Sequence, residues 1–348
     1  MTRIAAVQAA LPPHRYAQHE LTDAFATICL PDGKGLGLLR RLHQNAGVSH
    51  RYLAIPLERY AQLKDFGEAN DAWIAMAVDL GAEAVAGALE AAGLGLHDLD
   101  LLMFTTVTGV AAPSIDARIA ARLGLREDIK RVPLFGLGCV GGAAGIARVH
   151  DYLKAWPDQV AVLLSVELCS LTLQRDDASM PNLVASALFG DGAAAVVMTG
   201  SDHPRAAGPE VVATRSRLYP ETERVMGWDI GSGGFRVVLG ADVPDVVRQY
   251  LGGDVHGFLA DHGLTVPEIG TWVSHPGGPK VLEAVSEALD LPEGALDRTW
   301  ESLDAVGNLS SSSVLHVLGD TLRQHPSGMG LLLAMGPGFC SELVLLEW

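Results

Sequence analysis

The chain has 348 residues, 49% of them hydrophobic, and carries 25 Lys plus Arg against 41 Asp plus Glu, a net charge of −16. That apolar content excludes a disordered chain, and the acidic balance argues against a nucleic-acid or anionic-membrane partner, which needs a basic face. The length fits two domains or one duplicated domain. An anionic small substrate would still need only a local basic patch, for which Arg40/Arg41 and His50/Arg51 are the candidates.

In chain order, MTRIAAVQAALPP opens on a strand over 4–9; its apolar run is too short for a signal peptide and ends at two prolines. An Ala-rich amphipathic helix is expected over 71–92, a buried strand over 99–106, and a helix from Ser114, a suitable N-cap, to Arg122. Buried strands follow over 132–137, 160–166 and 193–199. The segment GSDHPRAAGP, 200–209, reads as a linker. Beyond it, strand signals resume over 211–216, 235–239, 271–274, 330–335 and 341–346. Alternating strands and helices argue an α/β layered fold. The two halves, divided as 1–204 and 205–348, suggest a duplicated unit by element order, with no sequence repeat visible. No stretch reaches the ~18 apolar residues of a membrane span, and the expected location is cytoplasmic. Cys29, Cys139, Cys169 and Cys340 are widely spaced with no CxxC pair, which speaks against zinc and against a disulfide scaffold.

Cys139 carries the most information. In VPLFGLGCVGGAAGIARVHDYLKA an apolar run ends in glycines, and Ala143, Ile146, Val149 and Leu153 then recur at helical spacing. A sharp strand-to-helix turn would put the thiol over a helix N-terminus, where the dipole favours thiolate. A buried, inert cysteine is the alternative. Two sites in the second half match it. His275, in TWVSHPGGPK, ends a short strand before Pro-Gly-Gly, and Asn308, in DAVGNLSSSSVLHVLGD, follows Gly307 and precedes a helix. Each alone reads more readily as structural; Cys, His and Asn together, each at a Gly-rich junction, form a constellation.

On these residues the chain resembles the type III polyketide synthases of the chalcone synthase superfamily. The resemblance rests on GLGCVGGAAG around Cys139, ALFGDGAAAVV around Phe189, SHPGGPKVLEA around His275, VGNLSSSSVL around Asn308 and the C-terminal GPGFCSELVLLEW. It implies a thiolase-like αβαβα fold from two duplicated halves, a homodimer, and CoA thioesters as substrates with no cofactor and no metal. Cys139 would hold the acyl starter as a thioester, and His275 would act as its imidazolium partner. His275 and Asn308 would donate to the malonyl thioester oxygen as CO2 leaves. Phe189 and Phe235 correspond to aromatic gatekeepers, and Thr172, Cys169 and Ser310 to the cyclisation cavity. Arg51 becomes the candidate contact to CoA. Ala112 stands where a larger residue usually reaches across the dimer, Ala334 replaces a glycine, and Met226 fills a place commonly glycine.

These departures, with LSVELCSLTLQ, make the chain look most like bacterial alkylresorcinol and alkylpyrone synthases. They imply a fatty acyl-CoA starter extended by malonyl-CoA (or methylmalonyl-CoA), its tail running past Ala112. The alternatives are a single-condensation β-ketoacyl synthase III-like enzyme using an acyl carrier protein, a degradative thiolase with Cys340 as second acid/base, and a non-catalytic acyl-CoA-binding relative.

Overall fold

Apolar strands paired by sequence-distant neighbours build the frame of this molecule, whose computed structural model describes residues 2–175 and 177–348. One nine-stranded sheet has the spatial order Ile269–Ser274, Met329–Gly336, Cys340–Glu347, Glu210–Leu218, Thr2–Ala10, Asp191–Thr199, Val160–Leu168, Leu101–Thr106, Lys130–Phe135. In the first half Thr2–Ala10 runs antiparallel to Asp191–Thr199, which is antiparallel to Val160–Leu168, which is parallel to Leu101–Thr106. In the second half Glu210–Leu218, Cys340–Glu347, Met329–Gly336 and Ile269–Ser274 repeat that order of senses. The fold is therefore two copies of one plan, the first adding Lys130–Phe135 at its edge. Within the sheet the copies pair at Thr2↔Val211 and Arg3↔Glu210.

Side-chain alternation along the strands makes the layers. Leu332 and Ala334 pack in the central cluster, whereas Leu331 and Leu333 pack in an outer one. Helices Gly141–Ala155 and Ser313–Leu322 occupy the centre and touch strands of both halves. Phe66–Ala91 covers the outer face of the first half, and Val243–Ala260 with Pro279–Leu289 covers that of the second. The result is helix, sheet, helix, sheet, helix, the expected αβαβα order.

The helix Phe66–Ala91 begins earlier than its periodicity suggested, because the Asp65 carboxylate accepts the Glu68 N–H at 2.9 Å and caps it. Its 26 residues and mean hydropathy of 1.5 reach the length and apolarity of a membrane span, which the sequence reading did not anticipate. Here half of that apolar stretch is buried in the protein, with Trp73, Ala77 and Val85 in the first outer core.

Two expectations need correction. The strand predicted as buried over 132–137 is the edge strand Lys130–Phe135, mostly exposed, with Phe135 49% exposed. Apolar content cannot distinguish a central strand from an edge whose outer side lacks a neighbour. The strand containing Phe235 pairs in a separate hairpin with Met226–Gly231, a strand the sequence did not signal because it is short and glycine-bounded. A second two-stranded antiparallel ribbon, His14–Ala17 with His50–Leu53, brings Arg51 into the interior.

Candidate active site

The turn before the first central helix sets the thiol. After Lys130–Phe135 the chain passes Gly136 (φ 101°) and Gly138 (φ 55°), backbone regions that favour glycine. A Cβ on Gly138 would also lie 2.5 Å from Pro337 Cδ, and one on Gly141 would lie 2.8 Å from Thr105 Oγ1. Cys139, buried, therefore sits at the N-terminal side of the 15-residue helix Gly141–Ala155 as expected, with Sγ 3.8 Å from Ser310 Oγ.

His275 follows the strand Ile269–Ser274, and its N–H donates to Leu333 O at 3.0 Å. Its ring is buried, and neither Nδ1 nor Nε2 has a partner among the described residues. Buried polar atoms are rarely left so; this ring is available to a ligand oxygen. The Asn308 side chain is oriented by its Oδ1, which accepts the Ser310 N–H at 2.8 Å and leaves the amide NH2 to donate. Its backbone is bridged to Phe189, with Asn308 N–H to Leu188 O at 2.8 Å and Gly190 N–H to Asn308 O at 3.0 Å.

Cys139, His275 and Asn308 line one cavity of about 650 Å³, with exposed Arg41 and Lys280 also in its wall. A smaller cavity of about 60 Å³ lies on the other side of Cys139, and the two share Cys139, Phe189, Met226 and Leu239. The inner one is lined by the predicted Cys169, Thr172 and Ser310, together with Thr108, Ser170 and Trp228. Ala334 is in the wall of the outer one.

Burial pushes the Cys139 thiol up to about 12 and the His275 imidazole down to about 3; the Ser310 hydroxyl lowers the thiol and the Glu167 carboxylate raises it. A lone thiolate or a lone imidazolium is thus disfavoured here. Moving one proton from sulfur to ring makes two opposite charges at once and keeps the pocket neutral, so the two groups titrate as a pair. Two buried carboxylates lie beneath the site. Glu167, pushed up to about 6 by burial, accepts from Ser311 Oγ, Thr108 Oγ1 and Val107 N–H. Asp191, also pushed up to about 6 by burial, accepts from Ser170 and from Ala54 N–H.

Three predicted positions do not take the expected roles. Arg51, the candidate CoA contact, lines the inner cavity but is fully buried, held by Gln18, Phe189 O and the face of Phe25, and cannot reach a phosphate outside. Phe235 lines neither cavity. It packs among Phe66, Trp228 and Phe135 at centroid distances of 5.4, 5.9 and 6.2 Å, while Trp228 and Val237 of the same hairpin take the wall. Ala112 is exposed and lines neither cavity. Sequence reasoning missed Trp228, Lys280, Glu167 and Gln18; Lys280, inside HPGGPK, and Glu167, inside LSVELCSLTLQ, stood in quoted motifs.

Comparison with known proteins agrees with this geometry. The family model described as chalcone and stilbene synthases, N-terminal domain, matches residues 1–203, and that for the C-terminal domain matches 210–347. A 1,3,6,8-tetrahydroxynaphthalene synthase of Streptomyces peucetius subsp. caesius is 62% identical over all of this chain and 93% of its own length. A putative chalcone synthase of Bacillus subtilis (strain 168) is 33% identical, covering 100% and 99%. The crystal structure of 1,3,6,8-tetrahydroxynaphthalene synthase from Streptomyces coelicolor A3(2), a bacterial type III polyketide synthase, superposes with a TM-score of 0.93 at 28% identity and 99% coverage of each chain. The chain thus belongs to the chalcone and stilbene synthase family and is a type III polyketide synthase, an acyl-transferring condensing enzyme of thiolase-like fold.

Proposed function

We propose that this enzyme builds a polyhydroxylated naphthalene of the 1,3,6,8-tetrahydroxy type from malonyl-CoA alone, with Cys139, His275 and Asn308 as its catalytic residues. The observation that carries the reading is the inner cavity: about 60 Å³, its wall carrying the hydroxyls of Thr108, Ser170, Thr172 and Ser310. Thr108, Ser170 and Thr172 already donate to Glu167, Asp191 and Cys169 O, so the cavity selects by size: a long alkyl tail does not fit so small a volume. The 62% identity to a tetrahydroxynaphthalene synthase supports the same choice. Ten ring carbons with oxygens at alternate positions are the sum of five two-carbon units. The fatty acyl starter expected from the sequence relied on a path past Ala112, and Ala112 is outside both cavities.

In this reading the starter thioester enters from the outer cavity and the Cys139 sulfur attacks its carbonyl as the thiol proton passes to His275, releasing CoA as a thiol. A malonyl thioester then binds with its carbonyl oxygen toward the free His275 ring nitrogen and the Asn308 amide. As the carboxylate leaves as CO2, charge moves onto that oxygen, where the two donors stabilise it. The enolate carbon attacks the acyl–Cys139 carbonyl, the C–S bond breaks, and the lengthened chain stays on CoA for the next round. Carbon dioxide loss drives each condensation, and no step calls for a metal or redox group. Arg41 and Lys280 suit the phosphates of CoA.

Incubation with malonyl-CoA alone is expected to give tetrahydroxynaphthalene by mass. Absence of that product, with alkylpyrones formed once a long acyl-CoA is added, would restore the alkyl reading. We also propose a homodimer. Among the described residues the edge strand Lys130–Phe135 has no neighbour on its outer side, and Phe135 and Val110 are 49% and 44% exposed. Sedimentation at micromolar concentration is expected to give twice the chain mass, and an active monomer would contradict this.

A further inference from the structure

The helix Met180–Leu188 ends at Phe189, and three successive carbonyls there are each taken by a donor. Gln18 Nε2 donates to Ala187 O at 2.8 Å, the Asn308 N–H to Leu188 O at 2.8 Å, and Arg51 Nη1 to Phe189 O at 2.9 Å. Gln18 and Arg51 are joined to each other, Nε donating to Oε1 at 3.1 Å. The Arg51 stem lies against both bridged loops: a Cβ on Gly307 would come 3.1 Å from its Cγ and Cδ, and one on Gly190 would come 3.5 Å from its Cγ. Gly307 (φ 75°) leads directly into Asn308. Arg51 is fully buried with Asp191 as its nearby opposite charge, so a guanidinium has been kept inside at a desolvation cost. A cation at a helix C-terminus is electrostatically favoured, and its planar fork fixes direction as well as distance.

From this geometry we infer that Gln18 and Arg51 form a clamp that sets the positions of Asn308 and Phe189, and so governs decarboxylation rather than acyl loading. The inference rests on the proposed role of Asn308. Arg51 is a positioning residue: it lines the inner cavity but not the outer one that His275 and Asn308 line, and it acts on decarboxylation through the backbone that carries the amide donor. A donor displaced by about 1 Å from the developing enolate oxygen costs up to about 100-fold in rate, while the Cys139 elbow, built on a different helix, keeps its geometry.

The test compares wild type, Arg51→Gln, Arg51→Lys and Gln18→Met in the full chain. It follows CO2 release from malonyl-CoA and, separately, acyl-enzyme mass after brief exposure to a short acyl-CoA. Arg51→Gln is expected to lower kcat for decarboxylation by about 10- to 100-fold with KM little changed and loading retained. Arg51→Lys keeps the charge but loses the fork and is expected to recover part of the rate. Gln18→Met, which keeps Arg51 near Asp191 but removes the acceptor of its Nε, is expected to show a smaller loss in the same direction. A folded Arg51→Gln that decarboxylates normally overturns the clamp, as does a loss confined to KM or a parallel loss of loading and decarboxylation. If Arg51→Gln does not fold, Gln18→Met decides by the same criteria. Failure of the wild type itself to decarboxylate malonyl-CoA would remove the functional reading instead.

Discussion

Cys139→Ala is expected to abolish both covalent acyl loading and polyketide formation. The other cysteines offer no substitute. Cys29 is the buried last residue of the helix Gln18–Cys29, Cys340 opens the last strand, and Cys169, though in the inner cavity, is pushed well above the ordinary thiol value by burial and neighbouring carboxylates. Among the described residues Cys169 is the one other thiol on the two cavity walls, and it does not line the outer cavity that holds His275, so product should fall below detection. Intact-protein mass after exposure to acyl-CoA provides the check. An acyl adduct retained by the variant would move the nucleophile to Cys169, the other thiol in the same cavity.

The second large effect concerns His275 and Asn308. Each supplies a donor to charge that appears only as CO2 departs, so His275→Ala and Asn308→Ala are expected to lower kcat for malonyl-CoA decarboxylation by about 10²–10³-fold with KM much less affected. The two differ in their effect on the thiol. His275 is the proton's destination when Cys139 becomes a thiolate; without it the thiol keeps the high value that burial imposes, about 12. Alkylation of Cys139 by iodoacetamide, followed against pH, is therefore expected to move to higher pH in His275→Ala and to stay at the wild-type pH in Asn308→Ala. Raised KM with turnover intact would show that both residues merely bind substrate. An unchanged alkylation profile would remove His275 from the proton transfer.

How much of this could be read from sequence depended on whether the signal was local. The turn at Cys139 was legible because glycines, an apolar run and a helical repeat all lie within about 25 residues of one another, and the alternation of strands and helices gave the layered fold the same way. Arg51 was not legible: its partners Gln18, Phe189 and Asp191 come from three other elements, and an arginine beside a histidine reads as surface until those contacts exist. Phe235 went astray for a related reason. Its hairpin turns the ring onto Phe66 and Trp228, and a motif match carries no information about which side of a two-stranded ribbon faces the cavity. Edge or centre, for Lys130–Phe135, is a property of the neighbours and not of the strand.

The duplicated architecture has a consequence for ancestry. Short turns precede both central helices, Gly138–Val140 before Gly141–Ala155 and Ser310–Ser312 before Ser313–Leu322, and both open on a left-handed residue, Gly138 at φ 55° and Ser310 at φ 49°. Counted from that residue, Ser311 is the counterpart of Cys139. A symmetric progenitor would have held two equivalent nucleophile seats facing each other across its axis. In the present chain one seat keeps a sulfur at the cavity wall; the other holds a hydroxyl turned away into the Glu167 carboxylate and the Ser165 hydroxyl. The second seat survives as scaffolding, and the loop that carries it now presents Asn308 to the reaction of the first.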